Sequence, residues 1–126
     1  MFENADLIHR YTRADALRDG TLIEVSATAK EAGIRWPVAL TAAACGRCEA
    51  VPAGVPYPDE AGRLWDIVWM LRLAIGRGAG GPEVRFGVHV RNDNRDRTPP
   101  LVQLLAACGP GDDGEPVITV MMNVED

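Results

Sequence analysis

The sequence predicts an α+β fold in which N-terminal helices pack on a three- to four-stranded, mainly antiparallel sheet. Three observations lead there. Apolar residues over 64–75 recur at helical spacing, those over 84–90 alternate, and two further apolar runs in the last third are divided by dense turn chemistry. A length of 126 residues with 47% hydrophobic side chains suits one domain, residues 1–126, that folds without a disulfide or metal staple.

Each element has a local reason. Thr12 is positioned to cap a short helix over Arg13–Arg18, and Asp19-Gly20 stops it, because glycine tolerates the left-handed conformation that ends a helix. Thr21–Val25 is β-branched and apolar, a short strand and the sheet's fourth. Ser26 begins a second helix as its cap, and Gly33 closes it. Trp36-Pro37 starts a third, Ala-rich helix over Val38–Cys48, since proline is tolerated in a first turn.

Glu49–Pro58 reads as a loop with an extended piece at Val55–Tyr57, and Asp59–Gly62 as a turn. In the helix Leu64–Ile75, Leu64, Ile67, Val68, Leu71 and Ile75 share one face, and Trp65, Trp69 and Leu73 form an adjacent stripe. So wide an apolar arc predicts a central helix touching the sheet on one side and another element beside it. Val84, Phe86, Val88 and Val90 alternate with polar or small residues, as in a half-buried strand. Leu101–Cys108, apolar on both faces, and Val117–Met122 complete an antiparallel meander around the turn Gly109–Gly114.

Charge is distributed unevenly. Residues 1–110 hold 13 basic and 13 acidic side chains, so the net charge of −5 comes from Asp112, Asp113, Glu115, Glu125 and Asp126. No basic track suited to direct nucleic-acid binding stands out, and Arg85, Arg91, Arg95 and Arg97 alternate with acids. No stretch is long and apolar enough to span a bilayer, and Met1–Arg10 lacks the pattern of a secretion signal, so a cytoplasmic location is expected.

Candidate chemistry is sparse. Cys45 and Cys48 have dithiol or zinc spacing, but they fall at the end of a helical stretch, the wrong pole for lowering a thiol pKa. Zinc would need two more ligands from Cys108, His9 or His89, so neither metal nor cofactor is expected. His89, with Asp93 or Asp96 nearby, is the candidate acid–base group of a small enzyme. The glycine-rich turn 109–114 joins two strands and lacks both the helix and the lysine of a phosphate cradle.

Two stretches carry a resemblance. Met1–Gly20, continuing through Glu31-Ala32-Gly33 to Pro37–Thr41, resembles a family of short bacterial proteins of unknown function, as do Gly62–Asp66 and Gly109–Thr119. The likeness covers nearly the whole chain and departs at Ala43–Ala50, where the cysteine pair replaces a Trp-rich, acidic segment. It implies a setting on plasmids, integrated elements and phages, whose small accessory proteins include anti-defence inhibitors of the anti-CRISPR type. The expectation is therefore a non-enzymatic interaction protein that binds a host protein or nucleoprotein complex. Its contacts would be Asp112, Asp113 and Glu115 on basic groups, with Trp65 and Trp69 as apolar anchors. The alternatives are the small His89 enzyme and a homodimeric structural protein pairing through the Trp65 helix or a free sheet edge.

Overall fold

A computed structural model describes residues 11–49, 60–78, 81–90 and 99–123. In chain order the elements are α1 (Arg13–Asp19), β1 (Leu22–Glu24), α2 (Ser26–Glu31), β2 (Val38–Thr41) and α3 (Ala42–Ala44), which runs into a π-helical turn at Cys45–Glu49. After them come α4 (Glu60–Arg77), β3 (Glu83–His89), β4 (Leu101–Pro110) and β5 (Pro116–Met122). The strands form one sheet in the order β1-β2-β5-β4-β3. Only β2 and β5 run parallel; the other neighbours are antiparallel, with the predicted meander intact at β3-β4-β5.

The α+β class holds, but the sheet has five strands and the helices do not all precede it. The unforeseen strand is β2, which the sequence reading placed inside a helix from Trp36-Pro37 to Cys48. Val38, Ala39 and Leu40 are each completely buried between β1 and β5, and burial on both faces overrides the modest helix preference of Ala and Leu. Val25 N–H donates to the Val38 carbonyl and Ile118 N–H to that of Pro37, at 2.9 Å each, tying this segment to both sides. The helix begins only at Ala42, where the Thr41 hydroxyl accepts from Ala44 N–H.

Ser26 also has a different task from the one expected. It is the first residue of α2, whose N-cap is Val25 without a side-chain bond. The Ser26 hydroxyl accepts from Val38 N–H at 2.9 Å and donates to the Glu24 carboxylate, so it pins α2 to the start of β2. α1 matches its reading closely: Thr12 caps it, and Gly20 ends it in the left-handed region at φ 89°. Gly33, at φ 98°, likewise follows α2.

α4 starts at Glu60, so residues 60–62 of the expected turn are helical, while Asp59 and the extended piece at Val55–Tyr57 lie outside the described residues. Its Ile67, Val68 and Leu71 are buried with Leu40, Leu104 and Val120, the centre of the core on one sheet face. α2 and the π-helical turn after α3 flank α4 on that face, which makes α4 central as anticipated. β4 is central too, but only one of its faces is covered. Val102, Leu104 and Ala106 are buried, whereas Leu101 and Gln103 are exposed.

Leu40 joins sheet and helix packing at a point with no space to collapse. Leu40→Ala should cost about 2–5 kcal/mol of stability, measured as a lower urea midpoint with an unchanged slope. A loss below ~1 kcal/mol would mean that β2 is not a packed central strand.

Candidate interaction surface

The acidic turn between β4 and β5 is built into the fold. Its ends are held by Gly111 N–H donating to the Glu115 carbonyl and Gly114 N–H donating to the Gly111 carbonyl, with Gly114 at φ 84°. The Asp112 carboxylate leaves the turn and accepts from the backbone N–H groups of Arg13, at 2.8 Å, and Ala14, at 2.9 Å. These are the first two residues of α1, where amides lack partners within the helix and a negative charge is favoured by its dipole.

Thr12 and Asp15 complete that end of the helix. The Thr12 hydroxyl accepts from Asp15 N–H and the Asp15 carboxylate from Thr12 N–H, a reciprocal capping box. From the same turn Arg13 sends its guanidinium to the Thr119 hydroxyl at 2.7 Å and the Ile118 carbonyl at 3.0 Å. Thr119 alternates with the core residues Ile118 and Val120, so α1 is clipped to the sheet face opposite α4.

Glu115 is also occupied locally, accepting from Asp113 N–H at 3.0 Å. Its carboxylate lies where a Cβ on Gly111 would sit, so a larger residue at 111 would displace it. Among the described residues only the Asp113 carboxylate projects from this turn without such a bond. Glu125 and Asp126 lie outside the described residues.

Trp65 and Trp69 are placed differently. Their rings stack on the outside of α4, with centroids 5.9 Å apart and planes 13° from parallel. They stay 38% and 43% exposed, and Leu73, one turn further, 39%. Ile75, expected on the core face, is exposed as well; Ala74 takes the buried position instead. The stripe is thus only partly covered, with β3 facing Trp69 across a cleft, and it forms an aromatic ridge along the helix. Such a contiguous apolar strip is uncommon on a surface that meets only water.

Beside the ridge, Asp66, Trp69 and Met70 of α4 face Gly87, Val88 and His89 of β3 across a cleft of about 210 Å³. Among the described residues β3 is an edge strand, paired with β4 alone. His89 is exposed, and its Nδ1 is 2.9 Å from the Pro99 carbonyl, so in the neutral ring Nδ1 donates and Nε2 is left as the acceptor. Asp93 and Asp96, its expected partners, lie outside the described residues, whereas Asp66 shares its cleft. The sequence reading missed Asp66; the spacing of 66, 69 and 70, which puts all three on one helical flank, was the available signal.

The structure does not gather the five expected contact residues into one patch. Trp69 lines a cleft with His89, which pairs with Leu101 at the start of β4. The acidic turn follows Pro110, the last residue of that ten-residue strand, so the two features lie about 30 Å apart along it.

Cys45, Cys48 and Cys108 form no disulfide, and burial pushes the Cys48 thiol above its usual range despite Arg47 and Arg63 nearby. Arg63 is itself buried, and loss of solvent lowers its pKa. Among the described residues no three His, Cys, Asp or Glu side chains gather where they could hold a metal ion. No described helix is long and apolar enough to cross a membrane.

Two expectations follow for the α1 clip. Asp112→Ala should remove about 1–2 kcal/mol from the unfolding free energy and loosen α1 first, read as faster amide exchange at Arg13–Ala16. Asp15, through its bonds to Thr12, and Asp19, through those to Tyr11 and Thr21, both have depressed carboxyl pKa values. Their contribution is therefore complete above the unfolded value, near pH 4, and fades as pH falls through the lower folded values. Asp15→Asn should flatten this acid limb in a pH series of melting temperatures; an unaltered limb would refute the assignment.

Neither a curated protein nor a solved structure matches the chain. A family model does, over residues 1–126, and the chain thus belongs to the family described as "Family of unknown function (DUF6573)".

Proposed function

We propose that this protein is a non-enzymatic interaction module whose partner docks on the Trp65–Trp69 ridge of α4 and the neighbouring edge of β3. The observation that supports this most directly is the stacked, exposed indole pair beside a cleft. Stacking limits the indoles' freedom before any partner arrives, and large preordered aromatics give the most contact area for the least entropy lost. The outer edge of β3, unpaired among the described residues, offers main-chain hydrogen bonds to an extended segment of the partner. The finer form of the proposal, inhibition of a host nucleoprotein complex, rests on the family setting that the resemblance implies.

The acids take a secondary part in this reading. Asp113, which projects from its turn, is the group of that cluster best placed to meet a basic surface, and its effect would be salt-dependent. Because it lies far from the indoles, the two contributions should separate by mutation.

The acid–base alternative draws on His89 and Asp66 sharing a cleft. Affinity purification from the host, with mass spectrometry and nucleic-acid detection, should recover a partner with the natural chain and at least tenfold less with Trp65→Ser/Trp69→Ser. Each indole is more than half covered, so the double variant should melt lower yet still unfold cooperatively, and recovery is compared at a temperature where both chains are folded. Equal recovery by the double variant would refute the ridge. A partner-free chain that instead elutes as a dimer by light scattering, and loses the dimer in the same variant, would place a second copy there.

A further inference from the structure

A second apolar hollow lies away from the ridge, under the C-terminal end of α4. It measures about 470 Å³ and is lined by Trp36, Ile75, Val84, Ala106, Cys108 and Ile118, with glycines 78 and 81 at its edge. Small side chains create it. Ala106 and Cys108 stand where larger strand residues would fill the floor, and the glycines contribute no side chain. Trp36 and Ile75 remain exposed at its mouth instead of closing over it. The volume falls within the range of small-molecule sites, and the lining is almost wholly apolar.

What makes the hollow more than a gap in packing is its neighbour. Trp36, Ile75 and Ile118 also border an adjoining space of about 180 Å³ lined by Arg35 and Arg72. Arg72 lies along Gly33, its Nε 3.2 Å from where a Cβ would be, so the absent side chain at 33 gives the guanidinium its place. The Arg18–Asp15 ion pair engages neither Arg35 nor Arg72. An apolar chamber thus opens on two cationic groups in a protein of net charge −5.

We propose that this double hollow binds an amphipathic carboxylate, with the apolar body between Trp36 and the β4 floor and the carboxylate at Arg35 and Arg72. Guanidinium groups suit this head chemistry, since their planar donors match the two oxygens of a carboxylate. The same chemistry has two sources: a free aliphatic acid, or the C-terminal carboxylate of a protein ending in an apolar residue.

Calorimetry on the full chain tests it with octanoate, octan-1-ol, and a pentapeptide ending in leucine with a free or an amidated terminus. Saturable one-to-one binding of octanoate or of the free-acid peptide, weakened at least tenfold in Arg35→Gln/Arg72→Gln, is expected, and whichever binds identifies the source. Both arginines are exposed, so this variant should fold. Cys108→Phe, which fills the floor, should abolish binding; if it fails to fold, protection of Trp36 fluorescence from iodide in a Trp65→Phe/Trp69→Phe chain reports occupancy instead. The proposal fails if no probe saturates, if octan-1-ol or the amidated peptide binds as tightly as its acid, or if the arginine variant binds unchanged.

Discussion

The fold depends on the parallel pairing of β2 with β5. Every other strand contact joins segments of one half of the chain: β1 with β2 before residue 42, and β3, β4 and β5 after residue 82. Four residues at Val38–Thr41 therefore carry the sheet from one half to the other. Val38, Ala39 and Leu40 do so from a fully buried position, where an unpaired amide or carbonyl would be costly and register is enforced by packing on both sides. The flanking bonds from Val25, Ser26 and Ile118 fix the same segment from outside the ladder.

A second long-range tie acts on the opposite face. α1 is too short to be stable alone, and its first-turn amides would otherwise rely on water. Asp112, almost a hundred residues away, satisfies two of them, while Arg13 returns a bond to the strand that follows the acidic turn. Helix and hairpin thus each hold the other's backbone groups. A residue that composition marks as surplus surface charge is here an element of the framework, and the acidity available to a partner is smaller than the formal charge of the tail.

How legible was this in the sequence? Features set by neighbours within a few residues were plain: the Thr12 cap, the Gly20 stop and the alternation at 84–90 appear where local chemistry put them, and the turn expected at 109–114 is shorter by Gly109 and Pro110, which pair with Val117 and Pro116 as the end of β4. β2 was not, because Val-Ala-Leu-Thr has no strong period of its own and only its two neighbours make it a strand. Ser26 was expected to act as a local helix cap and Asp112 as a partner contact, and both make bonds across the fold. The two exposed tryptophans had the right spacing for a stripe, but spacing cannot say whether anything lies opposite. The apolar hollow had no sequence signal at all, since it arises where small residues of β4 meet the glycines of the connection between α4 and β3.

That last point bears on how the surface should be understood. α4 has a wider apolar arc than the sheet can cover, because β3 is the final strand and nothing described extends beyond it. Had the excess been a mere by-product of a good helix, its exposed positions would tolerate small or flexible residues, which favour a helix as well as tryptophan does or better. Instead the two bulkiest side chains occupy them, four residues apart and stacked. Leaving that much indole in water carries a free-energy cost, at roughly 25 cal/mol for each Å² of apolar area, that covering by another molecule would recover. In the proposed reading, the ridge and the strand edge beside it are where a partner would recover most of that cost, while the acidic turn is already engaged with α1.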